Sequence, residues 1–205
     1  MYLSKVHVPW SYAMNPYELH RALWRLFPRR PHDERDFLYR VERLQTGVGA
    51  DVLLQSQQKP VAVADGPRLL AERAYSLTFK NGQRLRFHLR ANPVKTVKDE
   101  SKGQKTRKGK TYTKTVRVPL IKEEQRLAWL AKKFEGIAVT DSVIMQPEIP
   151  LYFRKSKEQR SGKIQTVCFD GLLTVQDAQV FVDLIKNGIG PAKSFGCGLL
   201  SIAIT

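Results

Sequence analysis

Acid and cysteine are both scarce in this sequence. Nineteen Asp and Glu stand against 35 Lys and Arg, a formal net charge of +16 in 205 residues. An excess of that size excludes a near-neutral surface and attracts a polyanion, of which nucleic acid is the commonest. The two cysteines, Cys168 and Cys197, sit in apolar or Gly-rich sequence. Without metal-ligand spacing they make neither a disulfide framework nor a zinc site, and both are expected as buried free thiols of a cytoplasmic protein. No apolar run approaches the ~20 residues that span a bilayer. Met1 to Val6 lacks the charged and apolar regions of a secretory signal. Paired carboxylates and His/Asp clusters at ligand spacing are missing too, so no metal and no cofactor is expected. The free chain is expected to be a monomer that has no business with membranes.

What is present suffices for a packed core: 42% of the residues are hydrophobic, which excludes global disorder. Tyr2 to Val8 alternates as a strand does. Asn15-Pro16-Tyr17-Glu18 opens a helix with an N-cap, proline at the first helical position and an early acid; Pro28 stops it after Phe27. Phe37 to Leu44 and Ala50 to Gln55 read as strands joined through Gly47-Val48-Gly49. Pro67 to Glu72 reads as a short helix and Tyr75 to Phe79 as a further strand. From Gln83 the order recurs: a long strand to Val97, a helix over Pro119 to Phe134, and strands over Ile137 to Met145 and Ile164 to Leu173. A helix opened by Thr174-Val175-Gln176-Asp177 and capped at Gly188 follows, then a strand over Leu199 to Ile204. Two consecutive βαββαβ orders predict an α+β protein of two tandem ferredoxin-like domains, with antiparallel sheets and helices on one face. The boundary is expected between residues 81 and 82. The halves repeat an order of elements, without clear sequence identity.

The charge is unevenly spread. Residues 80 to 117 hold 13 Lys and Arg against Asp99 and Glu100 alone, +11 of the total +16. The hydrophilic stretch Ser101 to Lys110 reads as the tip of an inserted β-hairpin arm, mobile without its ligand. In the strand before it Arg84, Arg86, His88 and Arg90 alternate with Leu85, Phe87 and Leu89, so one face is expected to be basic and outward. A second cluster, Arg154 to Lys163, joins strands of the second domain. A solvated charge run is the plain alternative. Two clusters beside a basic strand favour phosphate contacts, which dominate affinity and make it salt-dependent. Structured RNA suits such arms at least as well as single strands.

On a helical wheel Leu19, Ala22, Leu23 and Leu26 of the first helix face the core, with Tyr17, Arg21 and Trp24 opposite. His20 flanks them one turn beyond Tyr17, and a Tyr and a His at i, i+3 can share a reaction centre. RNA scission without metal needs a base to help the 2′-hydroxyl attack the adjacent phosphate and an acid to protonate the departing 5′-oxygen. Cations must also steady the charge on phosphate. A histidine on a helix flank is structural more often than catalytic, and His7, His32 and His88 are rivals from sequence alone. Trp10, Tyr12 and Met14, just before the helix, suit either a docking surface or the chain's own core.

The run Gly188-Ile189-Gly190-Pro191-Ala192-Lys193-Ser194-Phe195-Gly196-Cys197-Gly198-Leu199-Leu200 follows the last helix. Its glycines let backbone amides approach phosphate, and Lys193 adds charge. It is neither a Walker loop nor a Rossmann turn, and a tight helix-to-strand connection is the simpler account. The form GIGxxKxxGxGLL before the last strand of a second ferredoxin-like unit resembles the signature of CRISPR repeat-associated RNA-binding proteins. Met1-Tyr2-Leu3-Ser4-Lys5-Val6, Arg35-Asp36-Phe37-Leu38 with Val41-Glu42, and Leu53-Leu54-Gln55-Ser56 resemble the CasE family. So do Arg90-Ala91-Asn92-Pro93-Val94-Lys95-Thr96, Val118-Pro119-Leu120-Ile121-Lys122 and Ser161-Gly162-Lys163-Ile164-Gln165-Thr166-Val167. The resemblance runs from the first strand to the last, thinning at residues 57 to 82 and 100 to 115.

That family is the repeat-cleaving endoribonuclease of type I-E CRISPR systems, and the resemblance carries several implications. His20 and Tyr17 match its catalytic pair. Lys98 to Arg117 matches the basic hairpin that enters the groove of the RNA stem, with Lys98, Lys105, Arg107, Lys108, Lys110 and Arg117 as contacts. Arg160, Ser161 and Lys163 would hold the backbone near the cut, and Arg21, Arg90, Lys95, Lys193 and Ser194 would add further RNA contacts. The implied activity is metal-independent cutting of precursor crRNA at the 3′ base of a repeat stem-loop, leaving a 2′,3′-cyclic phosphate and a 5′-hydroxyl. The protein would then stay on its product with the other Cascade subunits. Two other readings compete: an RNA-binding module of this fold without chemistry, and a basic structural protein that binds many duplexes and cuts none. The division of base and acid between Tyr17 and His20 stays open at this point.

Overall fold

The computed structural model describes residues 1–28, 36–107, 110–155 and 160–205, without the side chains at 102, 105, 107, 110 and 160. Strand β1 (Tyr2–Pro9) turns Ser4, Val6 and Val8 inward and Lys5 outward, as its alternation predicts. The short helix α1 (Trp10–Ala13) follows and then α2 (Pro16–Trp24), which begins where Asn15 accepts a hydrogen bond from the Tyr17 amide at 3.1 Å. Leu19, Ala22 and Leu23 bury that helix on a sheet whose core face carries Val6, Val8, Phe37, Tyr39, Val52 and Leu54. The helix stops three residues short of the expected Phe27. Arg25, Leu26 and Phe27 bond instead to carbonyls three residues back, the tighter geometry in which helices often end. Trp10 and Tyr12 pack on this core, whereas Met14 is 63% exposed.

Strands β2 (Phe37–Gln45), β3 (Gly49–Ser56) and β4 (Arg68–Ala74) complete the first sheet, antiparallel throughout, in the order β2-β3-β1-β4. The helix expected over 67–72 is thus a strand, and the strand expected over 75–79 is irregular chain. Leu-Leu-Ala-Glu-Arg is made of good helix formers, but tertiary context routinely overrides such propensity. The open edge of β1 offers it a ladder, in which Leu69 pairs with Val6 and Arg73 with Leu3.

The second half contributes β5 (Arg84–Ala91), β6 (Val94–Lys98), β7 (Gln104–Arg107), β8 (Lys110–Thr113) and β9 (Thr115–Pro119). After these come α3 (Glu123–Phe134), β10 (Ala138–Pro147), β11 (Leu151–Lys155), β12 (Arg160–Ile164), β13 (Val167–Val175), α4 (Ala178–Asn187) and β14 (Leu200–Ile204). Its sheet runs β10-β13-β5-β14, the same permutation as the first. In each sheet the unit's opening strand lies between its third and fourth, which is the ferredoxin-like order. Helices α3 and α4 cover one face, where Leu130, Phe134, Phe181 and Ile185 meet Leu85, Phe87, Leu89 and Phe169. The protein is therefore α+β, with two antiparallel sheets each covered by helices on one side.

Three expected boundaries move. The long strand over 83–97 breaks at Asn92-Pro93, since proline has no N–H for the ladder. Beyond the break β6 leaves the sheet to pair with β9, and β7 with β8 carries the same arm outward. The strand expected over 164–173 divides into the end of β12 and β13. The helix expected from Pro119 starts at Glu123, because Pro119 ends β9. Among the described residues no helix is long and apolar enough to cross a membrane.

The two sheets are joined through the face of the first that α2 leaves uncovered. Gln55 Nε2 donates to the Ile185 carbonyl at 2.9 Å. The Arg40 guanidinium, held by Glu42 at 2.7 Å, reaches the carbonyls of His88 and Leu199. Cys197 is buried near this junction and Cys168 is half-buried. Burial chiefly pushes both thiols up to about 12; Glu148 adds to the effect, and Arg90 works against it. Because the folded values lie above the ordinary one, the neutral thiols favour the folded state below about pH 9, and that contribution is lost as pH rises toward 12. Iodoacetamide at about pH 8 should leave both thiols of the folded protein unmodified and label two after denaturation. Rapid labelling of either in the folded state would contradict this burial.

Candidate functional site

The amide of Asn15 does more than cap α2. Its Nδ2 donates to the Arg154 carbonyl at 2.6 Å, and its Oδ1 accepts from the Arg154 amide at 3.4 Å. One side chain therefore fastens the first turn of α2 to the backbone of β11, 139 residues away. Next along each element, the Lys155 ammonium stands 5.2 Å from the centre of the Tyr17 ring, a cation–π contact. Tyr17 thus sits between its own helix and a basic ribbon of the second domain.

His20 lies one turn further on, half-buried against aromatic rings. Its imidazole centre is 5.7 Å from Phe37, 6.2 Å from Tyr39 and nearly parallel to it, and 6.4 Å from Trp24 at an edge. The Tyr39 hydroxyl continues outward and donates to the Ser194 carbonyl at 2.8 Å. Ser194 belongs to a short 3₁₀ turn, Lys193–Phe195, held between left-handed Ala192 and Gly196. A Cβ at Gly196 would come within 3.2 Å of the Tyr39 ring, on a backbone with φ of +81°. Glycine there lets the loop close on β2. Phe195 packs at 4.6 Å on Phe153 of β11, whose ring lies across Gly162 and leaves no room for a side chain.

Tyr17 and His20 from the first unit are in this way brought together with the Gly-rich loop and the β11–β12 ribbon of the second. An imidazole exchanges protons near neutral pH, and a phenol donates or accepts one less readily. With the Lys155 ammonium beside Tyr17, the pair has what proton transfer at a phosphodiester requires.

The other expected residues divide by location. Lys98 and Arg117 are exposed and share one face of the β6–β9 ribbon, where Thr96 opposes Arg117; Lys95 is exposed on the other. Ser161 and Lys163 are exposed on β12. Arg21 is exposed and paired with Glu18 at 3.0 Å. Lys193 donates to the Asn187 carbonyl at 2.6 Å, closing the end of α4, and Ser194 offers its carbonyl to Tyr39. Lys108 and His32 lie outside the described residues, as do the side chains of Lys105, Arg107, Lys110 and Arg160.

The basic outward face expected for β5 is corrected. Arg84 pairs with Asp141 at 3.0 Å, His88 with Asp170 at 2.6 Å and Arg90 with Glu148 at 2.7 Å. Arg90 is only 11% exposed. Asp141 of β10, Asp170 of β13 and Glu148 just beyond β10 thus each face one of these three bases, while Arg86, exposed between Leu172 and Ala203 on the neighbouring strands, keeps the expected outward place. His7 is similarly occupied, by Asp51 at 2.9 Å. Sequence reasoning missed Tyr39, Phe195 and the Asn15–Arg154 tie. Lys155 lay within a recognised cluster, but nothing in its local sequence points it at Tyr17.

Known proteins resemble this chain along its whole length. The family model described as CRISPR associated protein matches residues 1–203. The CRISPR system Cascade subunit CasE of Escherichia coli is 47% identical over 203 residues, 99% of this chain and 99% of that one. The CRISPR-associated endoribonuclease Cse3 of Thermus thermophilus is 30% identical over 204 residues, 92% of this chain and 90% of its own. A solved structure of the CRISPR endoribonuclease Cse3 bound to a 19-nucleotide RNA covers 99% of this chain and 100% of that one, at a TM-score of 0.77 and 29% identity.

Proposed function

Since this chain belongs to the CRISPR associated protein family, we propose that it is an endoribonuclease that processes precursor crRNA and remains on the product as a Cascade subunit. The observation that carries the proposal is the meeting of Tyr17 and His20 with Lys155 and the Gly-rich loop at one junction. The relatives bear these names: one is a Cascade subunit, another an endoribonuclease with a structure bound to RNA.

The reaction is an internal displacement. The 2′-oxygen of the nucleotide at the 3′ base of the repeat stem forms a bond to the phosphorus carried on the adjacent 3′-oxygen, and the bond from that phosphorus to the 5′-oxygen of the next nucleotide breaks. One proton leaves the 2′-hydroxyl and one arrives on the 5′-oxygen, so the fragments end in a 2′,3′-cyclic phosphate and a 5′-hydroxyl. His20 and Tyr17 supply the acceptor and donor between them, Lys155 stabilises the phosphate, and Lys163 holds the backbone near the cut. Neither metal nor cofactor enters this scheme. Lys95, Lys98 and Arg117, with the rest of the β6–β9 arm, hold the stem. Arg90, Lys193 and Ser194 support the loop from within, as their partners Glu148, Asn187 and Tyr39 suggest. The division into domains falls between residues 81 and 82, and the working location is the cytoplasm.

Purified protein mixed with a labelled repeat stem-loop in EDTA should cut once, at the 3′ base of the stem, and mass spectrometry should find the cyclic phosphate. Loss of cutting on chelation, restored by Mg²⁺, would overturn metal independence. Tight binding with no cutting in any buffer would leave an RNA-binding module.

A further inference from the structure

The β11–β12 ribbon has two faces, and the site described above uses one. Its register pairs Tyr152 with Lys163, Phe153 with Gly162 and Arg154 with Ser161. Alternation then sets Leu151, Phe153 and Lys155 on the inner face, against Phe195 and Tyr17. Tyr152, Arg154, Ser161 and Lys163 share the outer face, and all four are exposed.

Tyr152 stands out among them. An aromatic side chain has 150–250 Å² to bury and ordinarily does so, yet this one is 65% exposed. Nor is it loosely held, since its neighbour Phe153 is wedged between Phe195 and Gly162 and fixes the strand beneath it. The Lys163 ammonium lies 5.8 Å from the ring centre, so a cation able to meet a phosphate stands beside an accessible π-face. Aromatic ring and adjacent lysine on a rigid two-stranded ribbon form the combination by which proteins take hold of unpaired nucleotides: the ring stacks on the base and the cation meets the backbone. A base inside a duplex already has neighbours on both faces and cannot use such a platform. A nucleotide outside the stem, with its base free to be splayed onto the ring, fits the platform. The inner face of the same ribbon touches Tyr17 and ties to Asn15, so the unpaired segment is the one next to the cut.

We infer that Tyr152 is a stacking platform for an unpaired nucleobase in the single-stranded RNA flanking the stem, with Lys163 holding the phosphate beside it. This rests on the functional reading above and refines it, because such a platform selects for a flank with a free base at a fixed distance from the stem.

Binding of the full protein to stem-loops that carry both flanks tests it. Each flanking nucleotide is replaced in turn by an abasic one, and parent, Tyr152→Leu and Tyr152→Phe are compared. Stacking on one ring changes affinity by roughly 5- to 150-fold. One abasic position should weaken the parent by a factor in that range. The Tyr152→Leu variant should be weaker on the intact flank by a similar factor and lose little more at that position, because the two changes remove one contact. Tyr152→Phe, which keeps the ring, should restore most of the affinity. The inference is overturned if Tyr152→Leu binds every flanked RNA as tightly as the parent, or if its loss simply adds to that of each abasic position. Undiminished RNA binding by Tyr152→Leu, with failure to assemble with other Cascade subunits, would overturn it in favour of a protein-docking surface. Failure of the functional reading looks different: the parent would then bind the hairpin without cutting it, or not bind it at all.

Discussion

His20→Ala should retain the RNA hairpin and stop cutting it. Proton transfer by a placed side chain contributes about 10²- to 10⁴-fold to a rate, so single-turnover cleavage should fall by about two to four orders of magnitude. Binding should change little, because the imidazole is half-buried among Phe37, Tyr39 and Trp24 and the phosphate-facing charges lie elsewhere. Removing the ring from that aromatic nest costs some packing, and a thermal melt separates a weakened fold from lost chemistry. His20→Gln, which refills much of the space, should be as inactive as His20→Ala while melting closer to the parent. Cutting at the parent rate by either variant would remove His20 from the mechanism and make the aromatic nest a purely structural feature.

Affinity for the stem-loop should collapse as salt is raised. A protein that neutralises six to ten phosphates loses about 10³- to 10⁵-fold between 50 and 200 mM salt, and the exposed cations of the β6–β9 arm and the β11–β12 ribbon make that range the expected one. The slope of log affinity against log salt counts the contacts. Lys98→Gln and Arg117→Gln, on one face of the arm, should each lower its magnitude by about one. A slope that neither substitution moves would take that face out of the RNA interface. Arg84 makes a useful contrast, because its charge already faces Asp141 at 3.0 Å.

The sequence indicated the order of strands and helices well where burial repeats locally. Alternation in β1, β3 and β5 and the apolar stripe of α2 each follow from a side chain's own neighbours in the chain. It misled where a distant partner decided the outcome. Arg68–Ala74 has the composition of a helix and forms a strand because β1 offers an edge. Three of the four bases on the outward face of β5 are paired with Asp141, Glu148 and Asp170, and which acid meets which base depends on how the strands fold together. The candidate site divides in the same way. The Tyr-x-x-His spacing and the two lysine-rich clusters stand in plain sequence. The Tyr39 hydroxyl, the double role of Asn15 and the position of Lys155 over Tyr17 arise only when two units fold against each other.

The hydrogen bond from Tyr39 to Ser194 spans 155 residues, and it sets a clock as well as a geometry. While the chain is being synthesised, α2 can pack on its sheet long before the Gly-rich loop has been translated. A ribosome-bound chain that has displayed Tyr17 and His20 but not yet residues 188–200 carries α2 without the loop that flanks it. On the proposed function, the site is complete only when translation is nearly finished, and a chain cut short before residue 188 keeps the residues of its first sheet but lacks the loop.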